Sequence, residues 1–347
     1  MKKNYSFDFY NIRVTINSDS SRFASFIGKY LTAFEHFNQK IKTPIDGCLS
    51  SNVLFRNNIQ IRDSLNWIML GDSIFIYENE LIYQNNYLKL WLQFGTNMSI
   101  RTVINVPPSK SIRSVLKTLK MRIDDRSAFH MYQKILRQAF HFPLFALLGG
   151  QGVFVGHGAA LQWGNKAILL AGSRGVGKST LSLALQLNEN NLQFLSDNYV
   201  LVFKESLLPF PEPLRVCLKP WMKRFSQIME PMFQIGERWY FVPTNVASRN
   251  LTNELFVFLL GRGNKLRIIP ISAEEGLLGF MSSTFKLCGE FPHGSYVAFM
   301  PYLTGQVSAL YAMPRLRVKR AYKLVLPKIT SEQTANFVAK EVLRLCT

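Results

Sequence analysis

The segment Gly172-Ser-Arg-Gly-Val-Gly-Lys-Ser179 constrains this chain more than any other stretch of similar length. It meets the spacing G-x-x-x-x-G-K-[ST] at every fixed position. Before it stands the apolar run Ala167-Ile-Leu-Leu-Ala171, and an amphipathic helix is expected from Lys178 onward. A brief run without polar residues suits a strand buried on both faces of a sheet. Glycines let backbone N–H groups converge where the strand turns into the helix, and a helix N-terminus favours an anion. The expected binding set is therefore Gly172, Ser173, Arg174, Gly175, Val176, Gly177, Lys178, Ser179 and Thr180. Lys178 should reach the β- and γ-phosphates of a nucleoside triphosphate, ATP first among them, and the Ser179 hydroxyl should ligate Mg²⁺. Arg174, inside the loop, can touch phosphate or face water.

A carboxylate has to complete the metal site or activate a nucleophile, and Asp197, in Phe194-Leu-Ser-Asp-Asn-Tyr199, is the nearest candidate. The interval from Lys178 holds one helix and one strand, the strand lying around Asn191 to Phe194. Asp197 can then emerge at the sheet edge that presents the loop. Ser196-Asp197-Asn198 also reads as a turn whose carboxylate bonds only backbone. His157, in Gly156-His-Gly-Ala-Ala160, precedes the loop strand and can meet and orient Asp197; a lone histidine is as readily structural. Arg215 and Lys219 follow the run Pro209 to Pro213. They can stabilise charge on a phosphoryl group in transfer, or simply be solvated.

The first 140 residues follow another pattern. Phe7, Phe9, Ile12, Val14 and Ile16 alternate, with a slip at Tyr10 and Asn11 that predicts one bent or bulged strand. Ser20 and Ser21 can cap a helix to about Glu35, with Phe23, Phe26, Ile27, Tyr30 and Leu31 on one face. Between Cys48 and Val106, strand-like runs such as Ser73 to Tyr77 and Leu88 to Phe94 alternate with Asn, Asp and Gly turn signals. Pro107-Pro108 breaks the pattern, and helical spacing resumes from Ser111 to about Phe140. The expectation is an N-terminal α+β domain over residues 1–140, with substrate recognition as one role, and an α/β domain over residues 141–347. His141-Phe-Pro-Leu-Phe145 and Gly149-Gly150 mark the entry to the second, in which Val153-Phe-Val155 is a brief strand-like run.

The net charge of +19, from 41 Lys and Arg against 22 Asp and Glu, is spread along the chain without a basic tail. Such a surface attracts anionic ligands in general, and it permits nucleic acid as a partner without favouring it. The four cysteines, Cys48, Cys217, Cys288 and Cys346, are isolated, which fits neither a disulfide scaffold nor structural zinc. The most apolar window, Phe142 to Val155, is interrupted by Gly149, Gly150 and Gly152 and is too short to cross a bilayer. The segment after Met1-Lys-Lys-Asn4 alternates and lacks the apolar core of an export signal. A cytoplasmic, reduced protein without a membrane span is expected, and homo-oligomerisation stays open.

Together, His157-Gly-Ala-Ala160, Ala167 to Ala171, Gly172 to Thr180 and Leu195-Ser-Asp-Asn198 resemble the core of the HPr kinase/phosphorylase family, in particular its smaller HPr-kinase-like serine kinases. The resemblance covers residues 141 to 220 well; Asn253 to Leu260 and the stretch from Pro270 are similar to the C-terminal part of such kinases. It implies a phosphoenolpyruvate carboxykinase-like P-loop kinase fold and ATP-dependent phosphorylation of a hydroxyl on a protein, peptide or small molecule. By position it implies that Lys178 and Ser179 bind phosphate and Mg²⁺, that Asp197 is the base or metal partner, and that His157 supports it. Where the family usually carries a second acid this chain has Asn198, a weaker metal ligand that can still offer its carbonyl. Two other readings stay open: a P-loop NTPase acting on nucleic acid, and a nucleotide-binding module with weak or no catalysis.

Overall fold

A computed structural model describes residues 3–35, 47–55, 68–69, 74–84, 89–95, 99–105, 132–217, 228–235, 238–247, 254–290, 315–329 and 331–347. It is a mixed α/β protein. The chain divides into two compact units between Gln151 and Gly152.

The first unit contains β1 (Lys3–Phe9), β2 (Ile12–Ser18), α1 (Ser21–Glu35), β3 (Gly47–Leu54), β4 (Ile68–Met69), β5 (Ile74–Tyr77), β6 (Glu80–Gln84), β7 (Lys89–Gly95) and β8 (Ser99–Asn105). A π-helical turn, Arg137–His141, then leads into α2 (Phe142–Gly150). The eight strands form one sheet in the order β1-β2-β3-β8-β7-β6-β5-β4, in which β2, β3 and β8 run parallel. Tyr10 and Asn11 do not bend a single strand. Their φ angles of 51° and 62° make a two-residue hairpin turn of the kind whose twist matches the flanking strands, and β1 pairs antiparallel with β2. Ser20 Oγ accepts from the Phe23 N–H at 3.3 Å, and α1 buries Phe23, Phe26, Ile27, Tyr30 and Leu31. Most of the helical stretch expected from Ser111 lies outside the described residues.

The second unit comprises β9 (Val153–Trp163), β10 (Lys166–Gly172), α3 (Lys178–Asn188), β11 (Leu192–Phe203), β12 (Ser206–Leu208), β13 (Leu214–Cys217), β14 (Met229–Ile235), β15 (Arg238–Pro243), β16 (Glu254–Arg262), β17 (Arg267–Ile271), α4 (Ala273–Glu290), β18 (Val318–Leu326) and α5 (Glu332–Cys346). Seven strands form a mixed sheet in the order β12-β11-β9-β10-β16-β18-β17, and β13, β15 and β14 form a small separate one. The loop strand β10 is central, parallel to β16 and antiparallel to β9. Its alternation explains its composition: Ile168 and Leu170 pack with Leu181, Leu185, Val338 and Val342, while Ala167, Leu169 and Ala171 pack with Leu277 and Phe280. Helices α3 and α5 therefore cover one face of the sheet and α4 the other, which leaves β10 no polar side.

Strand β9 is longer than the run Val153-Phe-Val155 alone predicts, continuing through Gly156 and Gly158 to Trp163. Gly156 admits the Phe280 ring, which would lie 2.0 Å from a Cβ at that position, so the glycine marks close packing of α4 and not a break. Among the described residues, no helix is long and apolar enough to cross a membrane.

Candidate functional site

The loop occupies the turn from β10 to α3, as its spacing demands. Gly172 has φ 145°, and a Cβ on it would lie 2.6 Å from the carbonyl oxygen of Leu260 on β16; no side chain fits. Val176 is buried in the core and anchors the loop, while Ser173, Arg174 and Gly175 are exposed. Helix α3 starts from Gly177 without a side-chain cap, so the donors of its first turn are left to a ligand or solvent. Thr180 follows, half-buried.

Lys178 is buried, and its Nζ donates to the carbonyl oxygens of Gly172 at 2.8 Å and Ser173 at 3.1 Å. The ammonium is thus folded back over the loop. Beside it, Ser179 Oγ lies 2.8 Å from Asp197 Oδ2 and 3.0 Å from Oδ1. Cross-strand register explains the meeting. Asp197 stands opposite Ala159 on β9, and Ala159 stands opposite Leu170 on β10, which places Asp197 level with the end of the loop strand. Ser196-Asp197-Asn198 is not a turn, and the strand does not stop at Phe194. Strand β11 runs through to Phe203, with a bulge between Phe194 and Ser196. A bulge re-aims the side chains that follow it without ending the pairing.

Burial raises the Asp197 carboxyl above its usual value, against the opposing effects of the Ser179 hydrogen bond, the positive charges of Lys178 and Arg215, and the Asn198 backbone N–H. Arg215, half-buried on β13, is therefore near enough to act on Asp197. Lys219 lies outside the described residues. His157 pairs across the sheet with Tyr199, and its Nδ1 is 2.8 Å from the Asn198 carbonyl oxygen. A carbonyl only accepts, so Nδ1 carries the proton. Burial, then the charge on Lys178, lowers the His157 pKa to about 4, with Arg174 acting in the same sense and the Asn198 bond opposing. His157 is thus neutral near pH 7, and the bond that sets its ring goes to the main chain next to Asp197.

No protein-family model matches this chain, and no curated protein matches it in sequence.

Two residues join the site that sequence reasoning did not single out. Glu212 Oε2 accepts from Asn198 Nδ2 at 3.1 Å. Arg262, at the end of β16, donates from Nη2 to the carbonyl oxygen of Gly175 in the loop. The signal for Arg262 is a cation closing the strand Asn253 to Leu260; Glu212 has only its place between two prolines. As for metal, the Ser179 hydroxyl and the Asp197 carboxylate are hard oxygen donors in hydrogen-bond contact, which fits Mg²⁺. Among the described residues no group of three or more His, Cys, Asp or Glu could hold an ion. Mg²⁺ that shares its shell with water and phosphate does not need one.

Proposed function

We propose that this chain is an ATP-dependent phosphotransferase that moves the γ-phosphoryl group onto a hydroxyl of a protein, peptide or small molecule. The second unit would then be a variant of the phosphoenolpyruvate carboxykinase-like P-loop kinase fold used by HPr-kinase-like enzymes. The observation that carries the reading is the contact of Ser179 with Asp197 beside Lys178, at the end of the central strand.

In this reading the acceptor oxygen attacks the γ-phosphorus as the bond to the β–γ bridging oxygen breaks. ADP leaves with that oxygen, and the acceptor proton passes to a carboxylate oxygen of Asp197. Lys178 exchanges the carbonyls of Gly172 and Ser173 for phosphate oxygens, and the backbone donors of the loop and of α3 take the remainder. Ser179 and Asp197 would hold Mg²⁺, which when bound neutralises charge on the β- and γ-oxygens. His157, neutral and bonded to Asn198, holds the main chain that carries Asp197.

Incubation with γ-labelled ATP, magnesium and a lysate of the source cells tests this. Label on a discrete acceptor, absent with Lys178→Ala, is the expected outcome. Release of free phosphate alone, stimulated by nucleic acid, would instead identify an NTPase. Neither product would leave a binding module and contradict the proposal.

A further inference from the structure

Four cationic side chains bear on the site. Lys178 and Arg215 act on Asp197, Arg174 acts on His157, and Arg262 sits on the loop. Against them, Asp197 is the buried carboxylate, and its neighbour along the chain is the neutral Asn198. Mg²⁺ with a nucleotide is commonly held through one or two carboxylates together with phosphate oxygens. The segment after β12 brings another one in. Phe210, fully buried, donates its N–H to the Leu195 carbonyl at 2.8 Å and bridges Ser196, so the strand that carries Asp197 clamps this segment. Pro211 and Pro213 are buried on either side of half-buried Glu212, and the Glu212 N–H donates to the Phe210 carbonyl at 2.8 Å.

Asn198 connects that segment to the rest. Its φ of 79° lies in the left-handed region, which Asn tolerates better than most residues. In this conformation its N–H serves the Asp197 carboxylate, its carbonyl accepts from His157 Nδ1, and its side-chain amide donates to Glu212. A carboxylate only accepts, so the amide nitrogen must face Glu212. We propose that Glu212 is the second carboxylate of the nucleotide site, and that Asn198 is a positioning residue which holds it beside Asp197. This rests on the phosphotransferase reading and deepens it.

It also reverses what the sequence suggests for position 198. An acid there does not restore a missing ligand; it sets one carboxylate against another at hydrogen-bond distance, where like charges repel.

Calorimetric titration of ATP in magnesium and in EDTA tests the assignment, with wild type, Glu212→Gln, Asn198→Asp and the double variant. The readout is the gain in affinity that magnesium confers. Glu212→Gln keeps an acceptor for Asn198, so it should retain the fold and the EDTA affinity while losing about tenfold of the magnesium gain. Asn198→Asp should lose part of the gain as well, and the double variant, which lacks the Glu212 carboxylate whatever stands at 198, should be no better than Glu212→Gln. A purely structural Glu212 would instead lower the melting temperature and both affinities together, which would overturn the proposal. An undiminished magnesium gain in Glu212→Gln, a larger gain in Asn198→Asp, or a double variant that regains the wild-type magnesium gain would overturn it too. In those cases a wild type that binds magnesium ATP leaves the phosphotransferase reading standing. A wild type that binds ATP in neither condition removes both.

Discussion

In the first unit the buried polar side chains among the described residues are Ser18, Ser51, Thr102, Gln138 and His141, whereas the second unit buries Lys178, Asp197 and His157 within one site. The hydroxyls of the first unit are satisfied at short range: Thr102 Oγ1 donates to Ser51 Oγ at 2.7 Å, and Ser51 donates to the Ala139 carbonyl. His141 lies 3.4 Å from the Tyr30 hydroxyl and stacks on Phe145; burial lowers its pKa to about 3 and keeps it neutral. Neutral groups with partners cost a core little. Buried charges cost much more, and they gather where pKa values must be tuned for chemistry. The contrast teaches that the polarity buried in the first unit is neutral, while the second unit buries a cation and a carboxylate close together, where the proposed site lies.

The largest effect expected from this contrast is on transfer. Asp197→Asn should reduce the rate of phosphoryl transfer by about 10²–10⁴-fold, because a proton acceptor is gone, without reducing stability, because a buried carboxylate becomes neutral. Initial rates of label transfer and urea unfolding measure the two. Wild-type rates in this variant would break the assignment of the base.

Next comes pH. Both histidines have folded-state pKa values below the ordinary one of about 6.5, so the unfolded chain takes up protons that the folded chain refuses. Stability should therefore be intact above about 6.5 and fall as the pH drops toward about 4, by up to about 1.4 kcal/mol per pH unit for each histidine. Asp197 acts in the opposite sense, since its raised pKa makes the folded chain the better proton acceptor in acid. Asp197→Asn should thus steepen the loss, and His141→Phe should make it shallower. Equal slopes in all three proteins, read from urea midpoints across that range, would show that burial does not set these protonation states.

The smallest effect separates the units. Ser51→Ala should cost about 1–2 kcal/mol through the Thr102 hydroxyl it strands, with nucleotide affinity unchanged. A loss of affinity in that variant would blur the division between packing and site.

What was legible in the chain was what local chemistry dictates. Ala167 to Ala171 declares a doubly buried strand, and the glycines with Lys178 and Ser179 declare the turn into α3. The candidate acid Asp197 followed from spacing, though not its setting inside a strand. That setting depends on a bulge and on a left-handed Asn198, neither of which has a fixed residue signature. Tyr10-Asn11 hid a hairpin turn because the usual glycine is missing from it. Glu212 and Arg262 were invisible for a different reason: each reaches the site through tertiary contacts, Glu212 by the clamp on Phe210 and Arg262 by the pairing of β16 with β10. No pattern along the chain encodes those neighbours.

The central claim is that the loop from Gly172 to Ser179 cradles a triphosphate with the help of Lys178, and thermal melting with and without magnesium ATP tests it most directly. Wild type should be stabilised by about 2.7 kcal/mol at a nucleotide concentration about 100 times the Kd, and Lys178→Ala should show no shift. A wild type whose melting temperature ignores every nucleotide with magnesium, or a Lys178→Ala variant that shifts as wild type does, would contradict the account.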